Sequence, residues 1–276
     1  MSSFGLLWGS VRSENRRFWR TPIAAFFTLG LPLVMLVLFV ALFGNDPQGT
    51  SDYGPLATAQ FYAPGLGVFA ASSATFTNLA MNLTTRREAG ILMRVRNTPL
   101  PPWVFLTGAV LSAVWLALLS LTVMIAVGVV GYGVDLRVGQ LPAQAVAFLA
   151  GAVAFATLGV AVASVSSSLS TAQALANFTI LPLAFVSNVF IALDQPPRWM
   201  STTADVFPLK SFAVAFTATM NGERGWSDLP LDRLGVLGAW TVVGILVAAR
   251  SFRWAPQANG SSADRRGSSR RRGREL

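Results

Sequence analysis

The stretch from Leu141 to Leu193 contains no Asp, Glu, Lys or Arg. Pro102 to Val134 and Thr21 to Asn45 are also free of charge, and Gly54 to Arg86 is charged only at its end. An apolar run of about 18 residues is long enough to cross the hydrocarbon layer of a membrane. The pattern predicts an all-α membrane protein with several spans.

The composition supports a membrane protein. Of the 276 residues, 53% are hydrophobic and 12% are charged, and a typical soluble domain carries about twice that charged fraction. The chain has no Cys and no His, which excludes a disulfide framework, a metal site built from thiolates or imidazoles, and a Cys or His catalytic base. Met1 to Ser13 lacks the apolar core of a cleaved signal peptide, so we expect it to be retained.

Six spans are predicted. They cover about 22–43, 58–83, 103–130, 141–165, 171–193 and 234–249, with the break after the fourth span at "SVSSSLST", Ser164 to Thr171. Hydroxyl side chains compete there with the helix backbone. The transmembrane domain is thus expected over 22–249, followed by a disordered basic tail at 250–276.

The distribution of basic residues predicts the orientation. Sixteen of the 21 Lys and Arg residues fall in the N-terminal segment, the loop between the second and third spans, and the C-terminal segment; the other five fall in the opposite loops. The positive-inside rule therefore places both termini in the cytoplasm. Because the net charge of +9 is concentrated beside spans, we expect contact with membrane lipids and not with nucleic acid.

The N-terminal segment, residues 1–21, predicts an amphipathic helix. Aromatic side chains between Phe4 and Arg20 recur on one helical face and arginines on another; the main ones are Trp8, Arg12, Arg16, Phe18 and Trp19. This pattern is typical of a helix lying in the membrane interface. The alternative is a solvated basic segment that only sets the orientation.

The longest external loop, Asp194 to Asp232, contains the apolar stretch "FPLKSFAVAFTATM", Phe207 to Met220. A run of this length is short for a span and more often dips into the interface. We therefore expect short external re-entrant helices before the last span.

The loop between the second and third spans has more local structure than orientation requires. Thr85 and Glu88 have capping-box spacing, which predicts a helix over about 85–97. Its predicted apolar edge consists of Ile91, Leu92 and Val95, and Arg87 and Arg94 face away from that edge. Asn97, Thr98 and Pro99 are expected to end the helix. An unburied apolar edge predicts a docking element; the alternative is a helix lying flat on the membrane.

Polar residues are sparse within the spans but cluster on two of them. The candidates on the second span are Ser72, Thr75, Phe76, Asn78 and Asn82, and those on the fifth are Gln173, Asn177, Phe178, Phe185 and Asn188. A face that combines a few polar groups with Phe side chains suits contact with an amphiphilic or apolar molecule. The alternative is hydrogen bonding between packed helices.

The segment "RREAGILMRVRNTPLPPWVFLTG" resembles the signature loop of type-2 ABC transporter permeases, the membrane subunits related to daunorubicin-resistance and nodulation-factor exporters. The matching residues are Arg87, Glu88, Gly90, Leu92, Arg94, Arg96, Thr98, Pro99 and Leu100. The resemblance implies that residues 85–97 form a coupling helix seated on an ATPase subunit and that Phe4 to Arg20 is a connecting helix. It also implies that the second and fifth spans of two permeases, identical or paralogous, face each other around the cargo.

The resemblance further implies an exporter in a bacterial-type cell membrane, with multidrug efflux and antibiotic resistance among its functions. The chain has no G-x-x-x-x-G-K-[ST] motif, so we expect it to be no enzyme and to bind no cofactor itself. Two ATPase subunits would bind ATP and Mg²⁺ instead. The spans lack the charged residues that ion-coupled transporters normally need. A membrane scaffold that anchors a cytoplasmic partner is the alternative, and an intramembrane enzyme is a more distant one.

Overall fold

The computed structural model describes residues 26–46, 48–51, 54–96, 102–187, 189–190, 197–222 and 225–251. Several predictions fall outside these residues. They concern the amphipathic helix at Phe4 to Arg20 with Trp8, Arg12, Arg16, Phe18 and Trp19, the positions Thr98, Pro99 and Asn188, and the tail from 252 onward.

The described chain is nearly all helical. Its helices are α1 (Leu31–Phe43), α2 (Thr58–Thr75), α3 (Thr77–Glu88), α4 (Ile91–Arg96), α5 (Pro102–Tyr132), α6 (Leu141–Val165), α7 (Leu169–Val186), α8 (Arg198–Val206), α9 (Pro208–Asn221) and α10 (Leu231–Ser251). A π-helical turn, Phe26–Gly30, leads into α1, and short 3-10 turns precede α6 and α10. Two short antiparallel strands, β1 (Gln48–Ser51) and β2 (Gly54–Leu56), join α1 to α2. This hairpin lies in the connection between two helices, and the described chain remains consistent with the expected all-α class.

Four of the described helices are long and apolar enough to cross a membrane. They cover Phe105–Tyr132, Val138–Val165, Leu169–Val186 and Leu231–Ser251, and a shorter apolar helix covers Thr28–Phe43. The helix predicted at 141–165 has those bounds in the structure. The predicted second span is less apolar and is almost enclosed by the rest of the chain, because most of α2 is buried.

Helix α6 lies at the centre of the fold and contacts α2, α3, α5, α7, α9 and α10. Glycines permit the closest approaches. A Cβ atom added at Gly159 would lie 2.8 Å from the carbonyl oxygens of Thr75 and Phe76, and one at Gly151 would lie 2.3 Å from the Phe212 ring. These glycines therefore let neighbouring segments approach α6 closely.

Gly159→Ala should therefore destabilise the protein, because the new methyl group would meet backbone that cannot rotate away. Overpacking of this kind costs about 1–3 kcal/mol. The measurement is thermal unfolding in detergent micelles. The matched control is Gly238→Ala on α10, where an added Cβ meets nothing within 4 Å and where alanine favours a helix by about 0.5–1 kcal/mol. Equal melting temperatures for the two variants would contradict the tight packing.

The helix interruption in the second predicted span lies at Phe76, between α2 and α3. Pro64 lies inside the unbroken α2, and Pro32 lies in the first turn of α1. A proline is tolerated in a first helical turn because its missing N–H has no intrahelical partner there. The Thr75 hydroxyl donates to the Ala71 carbonyl at 2.8 Å, a local bond that often bends helices.

The predicted external segment forms α8 and α9, and α9 is largely buried against the rest of the fold. Asp205, at the end of α8, accepts hydrogen bonds from Arg233 at 2.7 Å and from Lys210 at 2.9 Å. Trp240 of α10 donates its Nε1–H to the Val206 carbonyl at 2.7 Å. These contacts fasten α8 and α9 to the start of α10.

The Asp205 contacts predict a pH dependence. Burial raises the pKa of Asp205, but the hydrogen bonds and charges of Arg233 and Lys210 outweigh it and hold the pKa below its ordinary value of 3.8. The carboxylate thus stabilises the fold above pH 3.8, and this contribution is lost as the pH falls through the lowered pKa of the folded state. Asp205→Asn should cost only about 0.2–1 kcal/mol at neutral pH, because the cluster is partly exposed. Thermal unfolding should show that the difference from wild type disappears in acid; a difference that persists there would contradict the ionic origin.

Candidate coupling site and cargo path

The sequence predicts a single helix over 85–97 in the loop between the second and third spans. The structure has instead the end of α3 and the separate helix α4 there. Thr85 is not an N-cap; it lies inside α3, and its hydroxyl donates to the Met81 carbonyl at 2.8 Å. Helix α3 continues to Glu88, and Gly90, with φ +69°, then starts the turn into α4. Glycine adopts this left-handed conformation without a steric cost, which is why it commonly ends helices.

Arg87 lies inside the protein and not on the outer side that the sequence predicted for it. Its side chain is buried, and its Nη1 donates to the Ala163 carbonyl at 2.8 Å while its Nη2 donates to the Ser166 carbonyl. Both acceptors belong to the C-terminal end of α6, where helical carbonyls have no partner within the helix. Positive charge is also favoured there by the helix dipole.

Glu88 makes the complementary contact. Its Oε1 accepts a hydrogen bond from the backbone N–H of Leu169, the first residue of α7, at 2.7 Å. The expected reciprocal cap with Thr85 is therefore replaced by a cap on another helix. Negative charge is favoured at a helix N-terminus, and Ser168 also caps α7 by accepting from the Thr171 N–H at 3.2 Å. We call these contacts of Arg87 and Glu88 the Arg87–Glu88 clasp.

Helix α4 packs against α3 and α5. Leu92, predicted to lie on an unburied edge, is 1% exposed, whereas Met93 is 46% exposed and Ile91 is half-buried. The backbone places Arg94 and Val95 in the same helix. Arg86 lies over the Phe105 ring of α5, 5.2 Å from its centroid. Leu92 is therefore not on an unburied edge; its side chain packs α4 against the rest of its own chain and leaves Met93 on the outside.

The second-span cargo candidates lie within the chain. Ser72 and Thr75 are fully buried, and Phe76 packs edge-on against Phe155 with ring centroids 6.2 Å apart. Asn78 donates to the Thr28 hydroxyl at 3.0 Å, and Asn82 is half-buried. For the first three residues, packing between helices is the interpretation that fits these positions.

The fifth-span candidates lie on an exposed face of α7. Gln173 and Asn177 are exposed, and Phe178 and Phe185 are 82% and 51% exposed. The structure therefore does not bring the second-span and fifth-span candidates together within one chain. What it presents to the outside is one face of α7 that combines amide and phenyl side chains.

The sequence contains a signal for the observed end of α3. Two arginines in the last turn followed by a glycine, as in Arg86, Arg87 and Gly90, are a helix stop. The capping-box spacing of Thr85 and Glu88 predicts the opposite, a helix that starts at Thr85, and that prediction is wrong. No periodicity could reveal the partners of Arg87, because they lie 76 and 79 residues further along the chain.

A nearly all-helical structure with four described helices of membrane length is that of a membrane protein. The sequence belongs to the ABC-2 type transporter family, which it matches over residues 5–221. It is 28% identical over 236 residues to the daunorubicin resistance ABC transporter permease protein DrrB1 of Streptomyces coeruleorubidus, covering 80% of each chain. It is also 20% identical over 218 residues to the putative transport permease YvfS of Bacillus subtilis (strain 168), covering 79% of this chain and 86% of that one.

These findings confirm the family resemblance. The chain is an integral membrane protein and a transmembrane subunit of an ABC transporter, and the family implies an ATPase partner subunit.

Proposed function

We propose that this chain is the permease of an ABC exporter and moves an amphiphilic or apolar cargo outward. The family match over residues 5–221 carries the proposal, and the daunorubicin-resistance relative supports an exporter. The candidate cargoes are drugs, antibiotics, lipids and glycoconjugates. Two ATPase subunits would hold ATP and Mg²⁺, and two permeases, identical or paralogous, would complete the transporter.

The ATPase would dock on the α3–α4 loop. Met93 supplies an exposed apolar contact. The buried Leu92 and the Arg86–Phe105 contact hold this loop on the permease. A short helix fixed to two longer ones can transmit a push without first becoming ordered.

The cargo would pass along the exposed face of α7. Asn177 and Gln173 can hydrogen-bond a polar group, while Phe178 and Phe185 suit an apolar body. Few polar groups on an aromatic wall are typical of sites for amphiphiles.

The proposed topology has six spans with both termini in the cytoplasm, and it can be tested because the chain has no cysteine. Ser227→Cys, exposed in the segment before α10, should react with a membrane-impermeant thiol reagent in intact cells. Ser261→Cys should react only after the cells are permeabilised. The opposite pattern would refute the orientation.

Purification and reconstitution test the function as a whole. The tagged permease is isolated from its native membrane, and its bound proteins and small molecules are identified by mass spectrometry. The complex is then placed in vesicles, and ATP-dependent transport of daunorubicin and of any copurified compound is measured. Capture of an ATPase and ATP-dependent movement are expected; a complex with no ATPase would favour the scaffold alternative.

A further inference from the structure

Two consecutive side chains at the end of α3 hold two other helices at once. Arg87 reaches the last carbonyls of α6, and Glu88 reaches the first N–H of α7. The turn between α6 and α7, residues 166–168, is therefore fastened to α3 from both sides. Each charge is also the one that the neighbouring helix end favours.

The clasp lies next to the proposed ATPase contact. Only Ala89 and Gly90 separate Glu88 from the start of α4, and the Gly90 N–H donates to the Arg87 carbonyl at 3.0 Å. The turn is thus closed by a hydrogen bond to the residue whose side chain reaches α6. A displacement of α4 would act directly on Arg87 and Glu88.

The other end of this connection is α7. Helix α3 packs against α7, and the exposed face of α7 begins at Gln173, four residues after Leu169. The clasp is therefore a continuous path of bonded groups from α4 to the helix that carries Asn177 and Phe178.

We propose that Arg87 and Glu88 are positioning residues that transmit the movement of α4 to α7 when the ATPase closes. The proposal rests on the proposed function and adds the route by which the cargo face is moved. In this route α7 is pulled by its N-terminus, and the long helices α5 and α6 do not have to bend. A clasp with a purely static role would affect stability and leave the movement of α7 unchanged.

The test measures that movement directly and needs no cargo. Spin labels are attached at Gln173→Cys on α7 and Gly238→Cys on α10, both exposed, in the complete permease–ATPase complex diluted with unlabelled permease. Pulsed electron resonance then gives the distance between the labels without nucleotide and after trapping with ATP and vanadate. We expect a shift in wild type and a shift at least twofold smaller in Arg87→Ala and in Glu88→Ala.

Matched variants separate transmission from folding. In Glu88→Gln the amide oxygen can still accept from the Leu169 N–H, so the wild-type shift should return. Arg198→Ala removes an exposed arginine on α8 and should also retain it. If Arg87→Ala fails to insert, the comparison of Glu88→Ala with Glu88→Gln decides, because Glu88 is exposed.

Each result has one meaning. Failure of the wild-type permease to capture an ATPase would refute the proposed function. Capture without any shift of α7, or with the full shift in both alanine variants, would refute the clasp as a transmitter while leaving the permease function intact. A reduced shift in both alanine variants, restored in Glu88→Gln, supports the proposal.

Discussion

A permease carrying Met93→Asp should capture at least about tenfold less ATPase than wild type. Met93 is 46% exposed on α4, next to the buried Leu92, so the new carboxylate would enter the proposed interface without a partner. An unpaired charge buried at an interface costs about 2–5 kcal/mol, and about 1.4 kcal/mol already corresponds to tenfold in affinity. The measurement is pull-down of the ATPase with tagged permease from membranes that contain equal amounts of each variant.

Two further variants distinguish docking from folding. Met93→Leu keeps an apolar side chain of similar volume and should capture the ATPase normally. Leu92→Asp should lower the melting temperature of the permease alone, since that side chain is 1% exposed, whereas Met93→Asp should not. Normal capture of the ATPase by Met93→Asp would show that α4 is not the docking surface. It would favour the alternative that α4 lies flat on the membrane.

Asn177→Leu should change which compounds are exported, by about two- to twelvefold in the ratio of a polar to an apolar substrate. The expected size follows from the loss of one hydrogen bond, worth about 0.5–1.5 kcal/mol. The substitution keeps the side chain near its original size on the exposed face of α7. ATP-dependent uptake of a panel that includes daunorubicin into inside-out vesicles gives the ratio.

Ser72→Ala is the matched control, because Ser72 was proposed for the same path but is fully buried. It should leave the ratio unchanged. A changed ratio for Ser72→Ala together with an unchanged one for Asn177→Leu would place the path inside the helix bundle. Unchanged ratios in both variants would assign the α7 face to contact with lipid or with the second permease.

The helices could be predicted closely from the sequence where a local signal marks their ends. Helix α6 begins at Leu141, beside Pro142, and ends before the serine-rich turn at Ser166. Proline at the start of a helix and hydroxyl side chains at its end act within a few residues. The exposed polar and aromatic face of α7 could also be read from helical spacing alone.

The Arg87–Glu88 clasp and the packing of α4 depend on contacts that the local sequence does not reveal. An arginine beside a membrane span is usually placed at the lipid headgroups, but Arg87 has carbonyl partners at the end of α6. Local spacing predicts a free apolar edge on α4, but in the structure α4 packs against α3 and α5. In both cases tertiary contacts, and not local spacing, determine which side chains remain available to a partner.

The close approach at Gly159 has a consequence for how this sequence can diverge. Its Cα lies where any side chain would meet the carbonyls of Thr75 and Phe76. A replacement there can survive only if the α2–α3 interruption moves at the same time, so two distant segments must change together. Relatives that lack this glycine should therefore also differ in where the second membrane helix is interrupted, even when every other contact of α6 is retained.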